Sequence, residues 1–317
     1  MASVTNATVV YYGTAWDDTT LLERAKQHHL ELERSDGIRR HFEYDWQVVA
    51  RSNPAYGRYV ASERERLGEQ HPLFLTQYCL KPISGGGRLF TPGQIAQLQG
   101  SHSRQRAPRA GETYVAGLDL AGGSVDDPSL RTRTGSAATR DSTVLTIARA
   151  VFPEYGELAY DPRLEVVEHY VWTGEPHEHL LRRLADLLRE VWQVRRLAVD
   201  ATGLGETIAR LLTVALGSQI VLPLKFSAVT KSRLGYELLA AVNTGRLKLY
   251  AGDGSLEHRH CIQELELAHA AYRANRTMNF FVEAADGHDD YLISLALLVD
   301  AAADAAPRVA RGRAVGL

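Results

Sequence analysis

The chain has 317 residues, of which 45% are hydrophobic and 23% charged, and its formal net charge is −2. Such a balance suits one large globular domain or two ordinary ones, and it leaves any DNA contact to local patches instead of a global basic field. The 2 cysteines, Cys79 and Cys261, lie far apart in no CxxC pattern, which excludes a zinc cluster or disulfide scaffold and suits a reducing compartment. No basic segment followed by an apolar core opens the chain, and the apolar run Leu292 to Val299 is too short to span a bilayer. A soluble, cytoplasmic protein with no membrane partner is expected.

In chain order, the first expected strand is Thr8 to Tyr12. Helical spacing of Leu21, Leu22, Ala25 and Leu32 predicts a helix over Thr19 to Leu32, and a second follows Pro54, over Tyr56 to Leu67, with Gly68 as its stop. Ser84-Gly85-Gly86-Gly87 and the stretch Gly100 to Gly111 mark a flexible break near residues 84–112. Beyond it, Tyr114–Ala121, Ser142–Phe152 and Leu164–Trp172 are spaced as an antiparallel meander. Alternation follows: helix His177–Val191, strand Arg196–Asp200, helix Glu206–Leu216, strand Gln219–Lys225 and helix Ser227–Thr244 ended by Gly245. A helix over 256–272, a short strand Met278–Glu283 and a last helix from near Asp286 complete the order. A meander followed by alternating strands and helices predicts an α/β protein with a mixed sheet flanked by helices and a mostly helical N-terminal extension. The Ala-rich tail is expected to be disordered and mildly basic.

Three acidic sites stand out in this order. Asp119 ends Tyr-Val-Ala-Gly-Leu-Asp, and Asp200 ends Arg-Leu-Ala-Val-Asp before Ala201-Thr202-Gly203-Leu204-Gly205. Asp289 and Asp290 open the apolar run that begins at Tyr291. A carboxylate at a buried strand end is costly unless a cation compensates it. Ligand sites gather at the carboxyl ends of strands in open sheets. Convergence of the three sites would suit Mg2+ or Mn2+, which prefer oxygen ligands, with two ions about 3.5–4 Å apart and phosphoryl-transfer chemistry. Adjacent helical residues point about 100° apart, so one of the aspartate pair faces the site more directly; Asp290 is favoured, with Asp289 as alternate or second ligand.

Taken singly, each site has a plainer reading. Asp119 reads as a solvated strand end, Asp200 as a Walker B aspartate, and Asp289 and Asp290 as helix caps. No GxxxxGK followed by Ser or Thr occurs, so a P-loop ATPase is not expected within this chain. His169, His177, His179, His258, His260 and His269 are scattered and read as surface or packing residues. His288, just before the aspartate pair, is a ligand, a proton carrier or part of the turn. Lys225 and Lys231 are placed to reach a DNA backbone. Arg131, Arg133 and Arg140, in the loop before the second strand of the meander, read either as phosphate contacts or as solvated arginines.

The motifs Gly117-Leu118-Asp119, Arg140-Asp141-Ser142-Thr143-Val144, Val199-Asp200-Ala201-Thr202-Gly203-Leu204-Gly205 and Gly287-His288-Asp289-Asp290-Tyr291 occur in an order that resembles the nuclease domain of the large terminase subunit of tailed bacteriophages and prophages. The resemblance covers roughly residues 112–303. It implies an RNase H-like fold, with Asp119, Asp200 and the Asp289/Asp290 position as metal ligands and catalytic residues; Asp141 reads either as a residue near that site or as a loop residue bonding its own backbone, and His288 is a second-layer candidate on its position alone. Val10-Tyr11-Tyr12-Gly13-Thr14-Ala15-Trp16 is similar to the coupling motif near the end of the packaging ATPase. Asn53 to Gly57 and Phe74 to Tyr78 are similar to the segment joining ATPase to nuclease. Walker A and most of the motor have no counterpart, so the chain corresponds to a C-terminal portion and no ATPase activity is expected from it alone.

The resemblance implies residues 1–110 as the end of the packaging ATPase plus a linker, 111–303 as the nuclease domain and 304–317 as a tail. It further implies a two-metal endonuclease that cuts concatemeric viral double-stranded DNA with low sequence specificity during genome packaging. A packaging ATPase domain, portal protein and small terminase subunit would be its partners, in the cytoplasm of a bacterial host. Another RNase H-like nuclease (a junction resolvase or RNase H itself), a catalytically inactive assembly or DNA-docking module, and an actin-like kinase suggested by Asp119 to Gly123 are the alternatives.

Overall fold

The structure, a computed structural model, describes residues 9–14, 20–82, 86–121, 142–152, 161–175, 177–203, 205–273, 275–303 and 305. Among the described residues no helix is long and apolar enough to cross a membrane.

The N-terminal part is helical. Helix α1 (Leu21–Asp36) starts at Thr20, whose hydroxyl accepts from the Glu23 amide, and ends at Gly37 in the left-handed conformation. Helices α2 (Trp46–Ser52), α3 (Pro54–Leu67) and α4 (Pro72–Gln77) follow; proline opens α3 and α4, where its missing N–H costs nothing. Gly68 closes α3 as expected. The strand expected at Thr8 to Tyr12 does not form over the described residues 9–12. Val9, Val10, Tyr11 and Tyr12 are exposed there, with no strand beside them to take up their amides.

The expected break near residue 86 is also corrected in part. Gly86–Arg88 form β1, which pairs with β8 (His269–Tyr272), itself paired with β9 (Met278–Phe281), in a small antiparallel sheet. Helix α5 (Pro92–Leu98) carries a full capping box from Thr91 and Gln94. After it the chain is tied to the main body: the Gly100 amide donates to the Leu249 carbonyl and the Gln105 amide to the Val167 carbonyl.

The main sheet has six strands: β2 (Thr113–Asp119), β3 (Ser142–Val151), β4 (Arg163–Thr173), β5 (Arg196–Asp200), β6 (Val221–Leu224) and β7 (Leu247–Lys248). Their order is β6-β5-β2-β3-β4-β7. Strands β2, β3 and β4 form the antiparallel meander, while β5 runs parallel to β2 and β6 parallel to β5. A three-strand meander extended beyond its first strand by two later parallel strands is an RNase H-like arrangement.

Side-chain alternation divides the core in two. Val115, Val144 and Ala198 face helices α8 (Ala228–Asn243), α9 (Leu256–Leu267) and α10 (Asp290–Ala303). Ala116, Leu118, Leu145, Leu197 and Val199 face α6 (His177–Asp186), the π-helical turn Leu187–Val191 and α7 (Gly205–Leu216). Helix α10 is buried almost from end to end, because it lies between β2, β3 and β5 on one side and α8 and α9 on the other.

Boundaries near the C-terminal helices differ from the sequence expectation. The helix expected over 256–272 stops at Leu267, and His269–Tyr272 become β8. The small apolar residues Ala268, Ala270 and Ala271 fit a helical stripe, but β1 and β9 need a middle strand and pairing wins. The last helix begins at Asp290 instead of near Asp286; Asp289 precedes it and its carbonyl accepts from the Ile293 amide.

Candidate metal centre

Register brings the first two aspartates together. Leu118 of β2 pairs with Val199 of the parallel strand β5, so Asp119 and Asp200 each follow one step later on adjacent strand ends. Neighbouring strands lie about 4.8 Å apart. Asp119 has the parity of Gly117 and Val115, and Asp200 that of Ala198, so both carboxylates stand on the α10 face of the sheet.

Helix α10 supplies the third position. It reaches the sheet closely because residue 117 is glycine: a Cβ there would overlap the Ser294 carbonyl oxygen and the Leu298 amide. A polar chain fixes the approach further. Thr146 Oγ1 lies 2.7 Å from Ser294 Oγ and 3.0 Å from His169 Nδ1, and Ser294 Oγ donates to the Tyr291 carbonyl at 2.9 Å. Burial holds the His169 imidazole down to about 3, so it is neutral. At the start of α10, the Asp290 carboxylate accepts from the Ser142 amide at 3.0 Å. Since Asp119 pairs with Val144 and β3 runs antiparallel to β2, Ser142 lies just past the carboxyl end of β2. Asp290 therefore faces the strand end that carries Asp119.

Asp119 shows the electrostatic consequence. It is 8% exposed, and burial pushes its carboxyl well above the usual aspartate range. The negative charges of Asp290, Asp200, Asp289 and Glu264, in that order, push it further in the same direction. Among the described residues, no three His, Cys, Asp or Glu side chains are gathered closely enough to form a ready cluster for an ion. The four aspartates and Glu264 occupy one electrostatic neighbourhood without closing on one point. As a donor set they fit a hard divalent cation: every donor atom is a carboxylate oxygen, and added positive charge would relieve the mutual repulsion.

The remaining candidates divide clearly. Lys231 of α8 lies beside the carboxylates, with Nζ 3.9 Å from Asp289 Oδ2 and 5.3 Å from the centre of the Phe280 ring. Lys225 instead makes an exposed ion pair with Glu206 at 2.8 Å. His288 is half-buried in the segment just before α10. The Asp200 carboxylate accepts from the Thr202 amide at 2.8 Å, which holds the turn after β5. Asp141, Arg131, Arg133 and Arg140 lie outside the described residues.

Glu264 is the residue that sequence reasoning missed. Its Oε2 accepts from the amides of Tyr291 at 2.8 Å and Leu292 at 3.1 Å. Burial pushes its carboxyl up to about 9; the Leu292 amide pulls it down, Asp290 pushes it up, and Tyr291 and Asp289 repeat the contest. A signal was present. Cys261 and Leu265 form the buried stripe of α9 at i and i+4, and Glu264 sits at i+3 beside them, where an acid is rare.

No protein-family model matches the sequence, and no curated protein matches it. Several solved structures are similar. The large terminase nuclease from thermophilic phage G20c aligns at 18% identity over 67% of this chain and 97% of that chain, with a TM-score of 0.46. The large terminase nuclease domain of Thermus phage P74-26 aligns at 16% identity over 67% of this chain and 94% of that chain, with a TM-score of 0.45. The HK97 bacteriophage large terminase aligns at 14% identity over 90% of this chain and 61% of that chain, with a TM-score of 0.47.

Proposed function

We propose that this chain is a metal-dependent endonuclease that hydrolyses phosphodiester bonds of double-stranded DNA with low sequence specificity. The observation that carries the reading is Asp119: a carboxylate buried at the end of the central strand, within reach of the charges of Asp290, Asp200, Asp289 and Glu264. Such an arrangement is unfavourable by itself and becomes favourable around a divalent cation. Asp119, Asp200 and Asp290 would hold two Mg2+ or Mn2+ ions, with Asp289 as the alternate ligand. When bound, such ions supply a water of lowered pKa and neutralise charge on the scissile phosphate and its leaving oxygen.

The chain's own groups then have separable tasks. Asp119 and Asp200 hold their oxygens on adjacent strand ends, and Asp290 is braced by the Ser142 amide. Lys231 sits beside Asp289 with its charge directed at the same neighbourhood, where it would meet a backbone phosphate. No base-reading motif is present, in keeping with low specificity.

The order of motifs, with its resemblance to terminase nucleases, supports a biological role in cutting concatemeric viral DNA during packaging. A packaging ATPase domain, portal protein and small terminase subunit would be its partners, in the cytoplasm of a bacterial host. Purified Asp119→Ala and Asp200→Ala chains should lose Mn2+-dependent plasmid cleavage while keeping the wild-type circular dichroism spectrum. Wild-type cutting by either would remove the assignment. Absence of any Mn2+-linked thermal stabilisation in the wild type would point instead to a docking module without catalysis.

A further inference from the structure

We infer that Glu264 is a positioning residue for the carboxylate site: it caps α10 from a neighbouring helix and so sets the turn from which Asp289 and Asp290 project. The first amides of any helix have no acceptor within it. An aspartate at a helix start normally turns its carboxylate back onto those amides. Here the Tyr291 and Leu292 amides donate to Glu264 Oε2, and the Ile293 amide donates to the Asp289 carbonyl. The Asp290 carboxylate accepts from the Ser142 amide on β3, and the Asp289 carboxylate lies 3.9 Å from Lys231 Nζ. Glu264 of α9 thus takes two of the first amides of α10, while Asp290 reaches the sheet end and Asp289 lies beside α8. The side chain of Glu264 spans the gap between α9 and α10, and Cys261 and Leu265, both fully packed, hold it on the inner face of α9.

The contact with α10 stands on its own; its consequence for ions rests on the nuclease reading above. Glu264→Gln keeps a carbonyl oxygen that can accept both amides, whereas Glu264→Ala removes the acceptor. Two readouts on the full chain separate geometry from charge. Hydrogen exchange of the Tyr291 and Leu292 amides, measured without metal, should accelerate about tenfold or more in Glu264→Ala and stay near wild type in Glu264→Gln. Mn2+ affinity by calorimetry should fall about tenfold in Glu264→Ala, the usual scale for losing an orienting partner, and hold in Glu264→Gln. Plasmid cleavage by Glu264→Ala should lose kcat with little change in KM for DNA.

If Glu264→Ala does not fold, Glu264→Asp, one methylene shorter, takes its place with the same expected order. Equal loss of Mn2+ affinity in Glu264→Gln and Glu264→Ala would overturn the inference, because the charge and not the acceptor would then matter. Unchanged exchange at both amides in Glu264→Ala would overturn it as well. Asp119→Asn run in parallel keeps the two readings apart: wild-type Mn2+ affinity there would end the metal reading, while the exchange measurement would still decide the contact.

Discussion

Asp119 and Glu264 are both acids held above their ordinary values by burial, and that has a measurable sign. Between its ordinary 4.5 and its folded value of about 9, Glu264 keeps a proton in the folded chain that the unfolded chain has lost. Asp119 behaves alike from 3.8 upward. The stability that these two acids contribute to the metal-free protein is therefore fully present in acid and declines as pH rises through that window. Asp119→Asn should raise the metal-free Tm at pH 8 by about 2–4 °C or more, and the gain should vanish near pH 4. Melting curves in EDTA across that range check it, and a gain independent of pH would contradict it. Legibility at this scale followed position. Asp119, Asp200 and Asp290 stand out in the sequence because each ends or begins an element where charge is out of place. Glu264 was hidden among the alternating Glu and Leu of α9, since its role depends on a helix that begins 26 residues later.

Elements were readable where one periodicity ruled. Arg196–Asp200 forms as expected, and β3 and β4 differ from expectation by a residue at their ends, because each must alternate across a sheet covered on both faces. Residues 256–272 misled because their apolar residues satisfy a helical stripe, while the hydrogen-bonding demand of β1 and β9 is invisible in that stretch alone. Gly117 shows the same limit. A glycine within a strand does not say what approaches it; here it is the backbone of α10. Gly117→Ala should therefore force α10 off the sheet, destabilise the protein by about 1–3 kcal/mol and reduce cleavage, since Asp290 moves with the helix. Denaturant unfolding together with a plasmid assay tests both effects; an unchanged midpoint would contradict the close packing. The neutral Ser294–Thr146–His169 chain makes a matching case. Ser294→Ala should destabilise by about 1–3 kcal/mol, because it leaves the buried Thr146 hydroxyl short of one partner; an unchanged denaturation midpoint would argue against that role.

Across the whole molecule, the meander followed by alternating strands and helices was enough to predict the mixed sheet, because few topologies satisfy that order. The small second sheet was not predictable, since its first strand is two glycines and an arginine whose partners lie about 180 residues away. What the fold accomplishes is to bring carboxylates from distant parts of the chain to one end of one sheet, two by strand register and one by a helix seated on glycine. Ion binding there should stabilise the entire domain, by about 2.7 kcal/mol at a hundredfold excess over Kd, and Asp200→Ala should abolish most of that gain in a Mn2+ melting series. The most direct measurement is anomalous diffraction from a crystal soaked in Mn2+. Peaks coordinated by Asp119 together with Asp200 or Asp290 are the predicted result. A fully soaked crystal with no peak at those carboxylates, or with Mn2+ bound only elsewhere, would contradict it.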